Sequence, residues 1–322
     1  MPYLGAHMSV AGGLPRAVAR AVVHGCEALQ IFAKNASQWR GRPLPADEIA
    51  AFRTAVHEAG LRAVVSHASY LINLATTDAL LRDRSREAMA DELDRAEALG
   101  LLGVVLHPGC YTSGSAATGL KQVAGSLRDL LDERRSGQTL VLLECTAGQG
   151  SSLGANFEEL AEIIHHMDGD PRVAVCLDTC HLLAAGYDIV SEDGYARTFS
   201  AFGRTVGFAR LKAFHLNDSK KPLGSRVDRH DHIGQGHLGL EPFRRLVNDP
   251  RFAALPMLLE TPKAEGKATG PITVDPLDAR NLDTLRGMMS PGGTGKPGGP
   301  GTGRPAHARP RRRDAGVRDE PA

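Results

Sequence analysis

Short apolar runs recur along the chain. Each ends on a polar or ionisable side chain, and a stretch with helical spacing follows. The runs are Tyr3–His7, Ala28–Lys34, Ala63–His67, Gly103–His107, Leu140–Glu144, Val173–Asp178, Leu211–His215 and Pro256–Glu260. Helical patterns fall between them at Leu14–Val23, Ala46–Ala59, Ala79–Leu99, Leu120–Arg134, Phe157–His166 and Tyr195–Val206. Asp78–Gly100 is the clearest. Leu81, Ser85, Met89, Leu93, Ala96 and Leu99 keep near-helical spacing there, and Gly100 suits a helix stop. Apolar runs alternating with helices predict parallel strands covered on both faces. Eight such units predict an α/β fold, a (β/α)8 barrel over residues 1–289. An open doubly wound sheet shares the alternation, but no G-x-G-x-x-G follows the first run.

In a barrel the C-terminal ends of all strands converge on one mouth, where active sites sit. The residues ending the runs are His7, Lys34, His67, His107, Glu144, Asp178, His215 and Glu260. A single histidine at a strand end is most often a hydrogen-bonded structural residue. Eight ionisable residues at eight ends are harder to explain that way, because buried charge is costly unless paired or metal-bound. A polynuclear metal site is the economical account. Loops add further ligands. The stretch His215–Gly236, HLNDSKKPLGSRVDRHDHIGQG, holds three His and three Asp within eighteen residues, from His215 to His232. Asp228 and His230 are spaced i, i+2 and point the same way in extended chain. His181 follows Asp178 by three residues, so a helical turn there would aim both at one cavity. His232 and His237 have no obvious partner, and His24, His57, His165 and His166 are expected on helix surfaces. Histidine and carboxylate ligands without thiolate favour Zn2+ or Mn2+ over Mg2+.

With 322 residues and 42% hydrophobic content the chain can bury a large core. The net charge of +1 conceals an asymmetry. Residues 290–322 carry seven Lys/Arg against three Asp/Glu, with eight Gly and six Pro, and read as a disordered basic tail. The remaining body is then about −3, so attraction to a polyanion would come from local patches or metal ions. Five cysteines form no C-x-x-C pair, and Cys145, Cys176 and Cys26 lie in or beside apolar runs. With no signal-peptide pattern at the start and no apolar run long enough to span a bilayer, a reduced cytoplasmic protein is expected.

Several carboxylate-bridged metals suit hydrolysis of phosphate esters. The loops beyond the strand ends carry groups that suit a sugar-phosphate chain. These are Lys34, Asn35, Gln38, Trp39 and Arg40; Ser69, Tyr70 and Asn73; TAGQGSSLG at 146–154; and Lys220, Lys221, Arg226 and Arg229. Aromatic and amide side chains among basic ones can stack on or wedge between bases.

The matching segments are YLGAHMSVAGGL at 3–14, KNASQW at 34–39, SHASYLINLA at 66–75, LHPG at 106–109 and LECTAGQGSSLG at 143–154. To these are added CLDTCHLLAAGYD at 176–188, the stretch at 215–236 and LLETP at 258–262. In these segments the chain resembles the endonuclease IV family of zinc-dependent apurinic/apyrimidinic endonucleases. The resemblance covers residues 1 to about 289 and leaves out the tail. It implies a TIM barrel holding three Zn2+ that cleaves the phosphodiester 5′ to an abasic site in double-stranded DNA. The products would be a 3′-hydroxyl and a 5′-deoxyribose phosphate, and blocked 3′ ends would also be trimmed. It further implies that His67, His107 and Glu144 hold the first ion. Glu144 would bridge to a second held by Asp178, His215 and Glu260, and a third would be held by His181, Asp228 and His230. Glu144 is thereby the expected catalytic residue. Gln38 and Tyr70 would enter the base stack, with Lys34, Asn35, Arg226 and Arg229 as further DNA contacts. His7 would stand behind a ligand or face substrate. Mn2+ is a candidate substitute for Zn2+, and a monomer is expected.

The chain departs from the family pattern in three places. Ser37 stands where an arginine often precedes the Gln–Trp pair, Ala68 where a polar residue often follows the histidine, and Cys145 where asparagine is common. Two rival readings are a metal-dependent sugar isomerase or epimerase on a related barrel and a non-catalytic binder of damaged DNA. The first needs no His181/Asp228/His230 set. The second would be favoured by a missing ligand, and none of the nine is missing.

Overall fold

A computed structural model describes residues 1–264 and 270–290. Eight parallel strands close into a barrel: β1 (Tyr3–His7), β2 (Ala28–Ile31), β3 (Ala63–His67), β4 (Gly103–Leu106), β5 (Leu140–Glu144), β6 (Val173–Asp178), β7 (Leu211–His215) and β10 (Pro256–Leu259). Each pairs with its sequence neighbour, and β10 closes the ring on β1. The helices are α1 (Leu14–Val23), α2 (Ala46–Glu58), α3 (Ala79–Leu99), α4 (Ala116–Asp132), α5 (Phe157–His166), α6 (Thr179–Ala185), α7 (Glu192–Thr205), α8 (Glu241–Asn248) and α9 (Pro276–Met288). A two-stranded antiparallel ribbon, β8 (Asp218–Ser219) with β9 (His230–Asp231), folds the β7–α8 connection back on itself. The expected barrel is therefore present. Residues Met1–Met289 form one compact unit. The expected disordered tail lies, from residue 291, outside the described residues. Among the described residues no helix is long and apolar enough to cross a membrane.

Local chemistry sets the helix bounds. Ser115 accepts from the Thr118 amide and Ser191 from the Gly194 amide, so α4 and α7 start earlier than their apolar periodicity alone predicts. Asp78 caps α3, and Gly100 ends it in the left-handed conformation at φ 72°. One strand also ends early. The apolar run Ala28–Lys34 reads as a single strand, but β2 stops at Ile31, whose ladder partner is Ser66. Phe32 and Ala33 extend the apolar run without extending the ladder: Ala33 packs into the core and the Phe32 ring lies against His7 and Tyr70.

Two apolar layers hold the barrel. Outward-facing strand residues pack on the helices, and a smaller inner cluster fills the barrel with Ala28, Val65, Val105, Leu142, Ala174, Cys176, Ala213 and Leu258. Side chains alternate along a strand, so the residue two positions beyond each inner one also points inward, nearer the mouth. Two beyond Ala28 is Gln30, and two beyond Val65 and Val105 are His67 and His107. Glu144, Asp178, His215 and Glu260 stand in the same relation to Leu142, Cys176, Ala213 and Leu258, and His7 to Gly5. The barrel filling is thus the floor of one polar layer.

Gly5 shows how closely β1 and β2 approach. A Cβ there would lie 2.0 Å from the Ala28 carbonyl oxygen. Backbone rather than a movable side chain blocks it, so Gly5→Ala is expected to cost at least about 2 kcal/mol. Urea denaturation measures this, and an unchanged midpoint would contradict the close approach.

Candidate metal centre

Glu144 stands at the centre, fully buried at the end of β5. Its Oε2 lies 3.2 Å from His67 Nε2 and 3.0 Å from His107 Nε2. Its Oε1 lies 2.9 Å from His215 Nδ1 and 3.3 Å from His181 Nδ1. One carboxylate therefore faces two separate groups. On the far side, His215 Nδ1 is 3.2 Å from Glu260 Oε2 and 3.9 Å from Asp178 Oδ2. A third group forms where the β8–β9 ribbon returns the loop. His181 Nε2 is 3.1 Å from Asp228 Oδ2, and His230 Nε2 is 3.3 Å from Asp228 Oδ1 and 3.6 Å from Asp178 Oδ2. Asp178 caps α6 by accepting from the His181 amide, and this turn carries His181 to the same cavity.

Potential ligand atoms within 4.8 Å of one another group as His67/His107/Glu144, Glu144/Asp178/His215/Glu260 and Asp178/His181/His230. A fourth grouping joins Asp228 and His230 with Cys180. All nine residues expected as ligands are brought together at the mouth. The donor chemistry suits divalent ions. His181 Nε2 and His230 Nε2 are buried and, among the described residues, lack a hydrogen bond of acceptable geometry. An imidazole nitrogen left so is costly without a cation to bind its lone pair. The tautomers agree with this. His67, His181 and His230 place Nδ1 against the backbone carbonyls of Ala68, Cys145 and Glu260 at 2.7, 2.9 and 3.3 Å. A carbonyl only accepts, so Nδ1 carries a proton in each, and Nε2 is the nitrogen left to bind an ion.

Electrostatics bind the cluster together. Burial pushes Glu144 up, but His215 and His107 outweigh it and hold its carboxyl well below the usual range. Burial likewise opposes ionisation of Glu260, and His215 and His7 overcome it and hold that carboxyl low. Burial pushes His181 and His215 down, yet both end well above the usual imidazole value. Asp178 and Asp228 do this for His181, and the surrounding acidic groups and Cys176 for His215. Without metal His181 and His215 take the cationic role, so metal uptake would displace their protons.

Two residues in the centre escape a reading of the sequence. Gln30 contacts His7, Glu260 and His215. Asn217 donates to Asp178 Oδ2 at 2.7 Å and accepts from the Glu260 amide at 2.9 Å. The period-2 pattern points to Gln30 once β2 is known to end at Ile31. Cys145, at the departure from the family pattern, receives the Asp178 amide on its sulfur at 3.1 Å.

The expected DNA contacts separate. Asn35, Gln38, Arg226 and Arg229 are exposed. Tyr70 is 70% exposed, and its ring lies 5.5 Å from those of Phe32 and His67, over the site. Lys34 is a correction. Its side chain is 1% exposed and donates to the Ala88 carbonyl on α3 at 2.9 Å. It pairs with Asp91 at 3.2 Å and Glu92 at 3.3 Å, so its charge is met inside the protein and not offered at the surface as expected of a DNA contact. It fastens the β2–α2 loop to α3, as do Arg95 on the Arg42 carbonyl and Arg40 with Glu87. Trp39 stacks under Arg84 at 4.6 Å, and Asn73 is spent joining its own loop to Cys110. His24, expected on the surface, is buried between the Arg20 carbonyl and the Asp275 amide. His232 is held by Asn281.

The same barrel recurs in known proteins. Residues 18–282 match the model of the family described as xylose isomerase-like TIM barrel. Probable endonuclease 4 of Chloroflexus aggregans is 50% identical over 289 residues, covering 90% of this chain and 98% of that protein. Probable endonuclease 4 of Geobacter sulfurreducens is 46% identical, covering 89% and 94%. The chain belongs to the endonuclease IV family. The crystal structure of endonuclease IV from Thermus thermophilus superposes with TM-score 0.77 at 40% identity, covering 89% of this chain and 98% of that one. A D-psicose 3-epimerase crystallised with D-fructose shares the fold at TM-score 0.62 and 12% identity.

Lys34→Met is expected to destabilise the protein by about 3–5 kcal/mol, because it strands Glu92 as a buried charge. Pairing it with Glu92→Gln should recover much of the loss in a thermal or urea melt. The salt slope of duplex binding should not change. A slope reduced by about 0.9 would instead mark Lys34 as a phosphate contact.

Proposed function

We propose that this endonuclease IV family member is a DNA-repair enzyme that hydrolyses the phosphodiester 5′ to abasic sites in duplex DNA. It leaves a 3′-hydroxyl and a 5′-deoxyribose phosphate, and removes blocking groups from 3′ ends. The observation that carries the reading is Glu144, whose two oxygens face different histidine pairs. A carboxylate so shared suits a bridge between two ions, and the His181/Asp228/His230 group suits a third.

The nine residues would hold three Zn2+, with Mn2+ as a substitute: His67, His107 and Glu144; Glu144, Asp178, His215 and Glu260; and His181, Asp228 and His230. When bound, such ions lower the pKa of water and stabilise charge on the attacking and leaving oxygens of a phosphodiester. Four carboxylates are outweighed by three divalent ions, so the loaded mouth would attract a phosphate although the body of the chain is acidic. The protein's part is placement. Asn217 and the Cys145 sulfur fix Asp178. The backbone carbonyls of Ala68, Cys145 and Glu260 fix three imidazoles, so little reorganisation is left for the reaction. Gln38 and Tyr70, both exposed, would enter the base stack at the lesion, and the exposed Asn35, Arg226 and Arg229 would contact the DNA backbone. The protein acts as a monomer in the cytoplasm.

A sugar epimerase on this barrel is the rival. The shared fold does not favour it, whereas the third ligand group, which that chemistry does not need, favours phosphate ester hydrolysis. A duplex oligonucleotide with one abasic site tests the choice. The protein should nick it 5′ to the lesion, chelator should abolish the nick, and Zn2+ should restore it. Glu144→Gln should keep the fold and lower kcat by more than the 10–100-fold typical of outer ligand-shell changes. No nick by the wild type, or near wild-type turnover by the variant, would refute the assignment.

A further inference from the structure

The ligand histidines are held in two ways. His67, His181 and His230 rest on backbone carbonyls, which dictate the proton position by themselves. His215 is reversed. Its Nδ1 faces Glu144 and Glu260, and its Nε2 lies 2.8 Å from Oε1 of the Gln30 amide. An amide can donate or accept, so that contact alone does not decide which imidazole nitrogen carries the proton.

The other side of the amide decides it. Gln30 Nε2 is 2.5 Å from Glu260 Oε1 and 3.0 Å from His7 Nδ1. A carboxylate only accepts, so the group facing Glu260 must be the NH2. Its two hydrogens serve Glu260 and the His7 Nδ1 lone pair. The amide oxygen is then left for His215, which donates from Nε2, so Nδ1 is the nitrogen that can offer a lone pair when an ion displaces its proton. His7, accepting on Nδ1, carries its proton on Nε2. The amide is fully buried and every hydrogen-bonding direction it uses is satisfied by these three side chains.

We infer that Gln30 is a positioning residue for the second ion's site: it sets the imidazole form of His215 and His7 together and ties both to Glu260. The inference rests on the metal-site reading proposed above. It predicts selectivity. Gln30 touches two ligands of one ion, Glu260 and His215, and no ligand outside that set. Gln30→Leu removes the hydrogen bonds at similar size. Gln30→Glu keeps size and polarity but sets a carboxylate against Glu260 and can no longer donate to it.

The test loads wild type, Gln30→Leu and Gln30→Glu with Zn2+ and titrates each with a competing chelator, while thermal melts of the metal-free proteins monitor the fold. In both variants one ion of three should be released with 10–100-fold weaker affinity, the other two staying near wild type. Metal-free melts should stay cooperative, with melting temperatures lowered only as far as the lost buried hydrogen bonds require, and excess Zn2+ should restore part of the lost kcat. Three ions held as tightly as in wild type would overturn the inference. So would wild-type behaviour of Gln30→Glu, which would mark a packing role. A parallel weakening of all three ions with a lowered metal-free melting temperature would also overturn it, as a general structural defect. A wild type that takes up no divalent ion refutes the metal reading itself, and this inference with it.

Discussion

A carboxylate with no exposure to water has to be met by positive charge, and Glu144 is such a group at the centre of the barrel mouth. Four imidazole nitrogens surround it within 3.3 Å, two on each oxygen. Asp178, Glu260 and Asp228 stand one imidazole further out. So many acceptors in one buried place are tolerable only with cations among them, either protons on histidine or metal ions. The rest of the architecture keeps these groups from moving apart.

The barrel supplies that rigidity through register. Parallel strands with inward alternation carry an apolar filler and then a polar group, so the floor of the site is the packed interior itself. The returning loop is pinned by the Ser219–His230 pairing, which brings Asp228 and His230 over a cavity made by elements distant in sequence. Around this core the surface is looser in purpose. The β2–α2 loop hangs on α3 by the buried Lys34–Glu92 pair and exposes Gln38, and the next loop exposes Tyr70. Glu92 also accepts from the Ser69 amide, so one buried carboxylate connects both loops.

Much of this is legible in the amino-acid sequence, for a physical reason. Buried parallel strands need apolar runs, and a run that ends on His67, His107, Glu144, Asp178, His215 or Glu260 announces both a strand and a polar group at the barrel mouth. The spacing of Asp228 and His230 similarly announces a shared direction. Errors arise where hydrophobicity continues past the hydrogen-bonded ladder. Phe32 and Ala33 are apolar because they pack against His7, Tyr70 and the core, so the run passes over Gln30 and makes Lys34 look like a strand end. His24 is misplaced for a different reason. It sits at the end of an amphipathic helix, but its partner Asp275 is 251 positions away and has no local signature. Asn217 lies inside a visible motif, yet its role depends on the distance between β6 and β10, which spacing along one segment does not encode.

As proposed, Glu144 would join two of three metal ions in this mouth. Crystals of the zinc-loaded protein measured at the zinc absorption edge test it most directly. Three anomalous peaks are expected: one among His67, His107 and Glu144, one among Glu144, Asp178, His215 and Glu260, and one among His181, Asp228 and His230. A single peak, or peaks with Glu144 bound to only one ion, would contradict it.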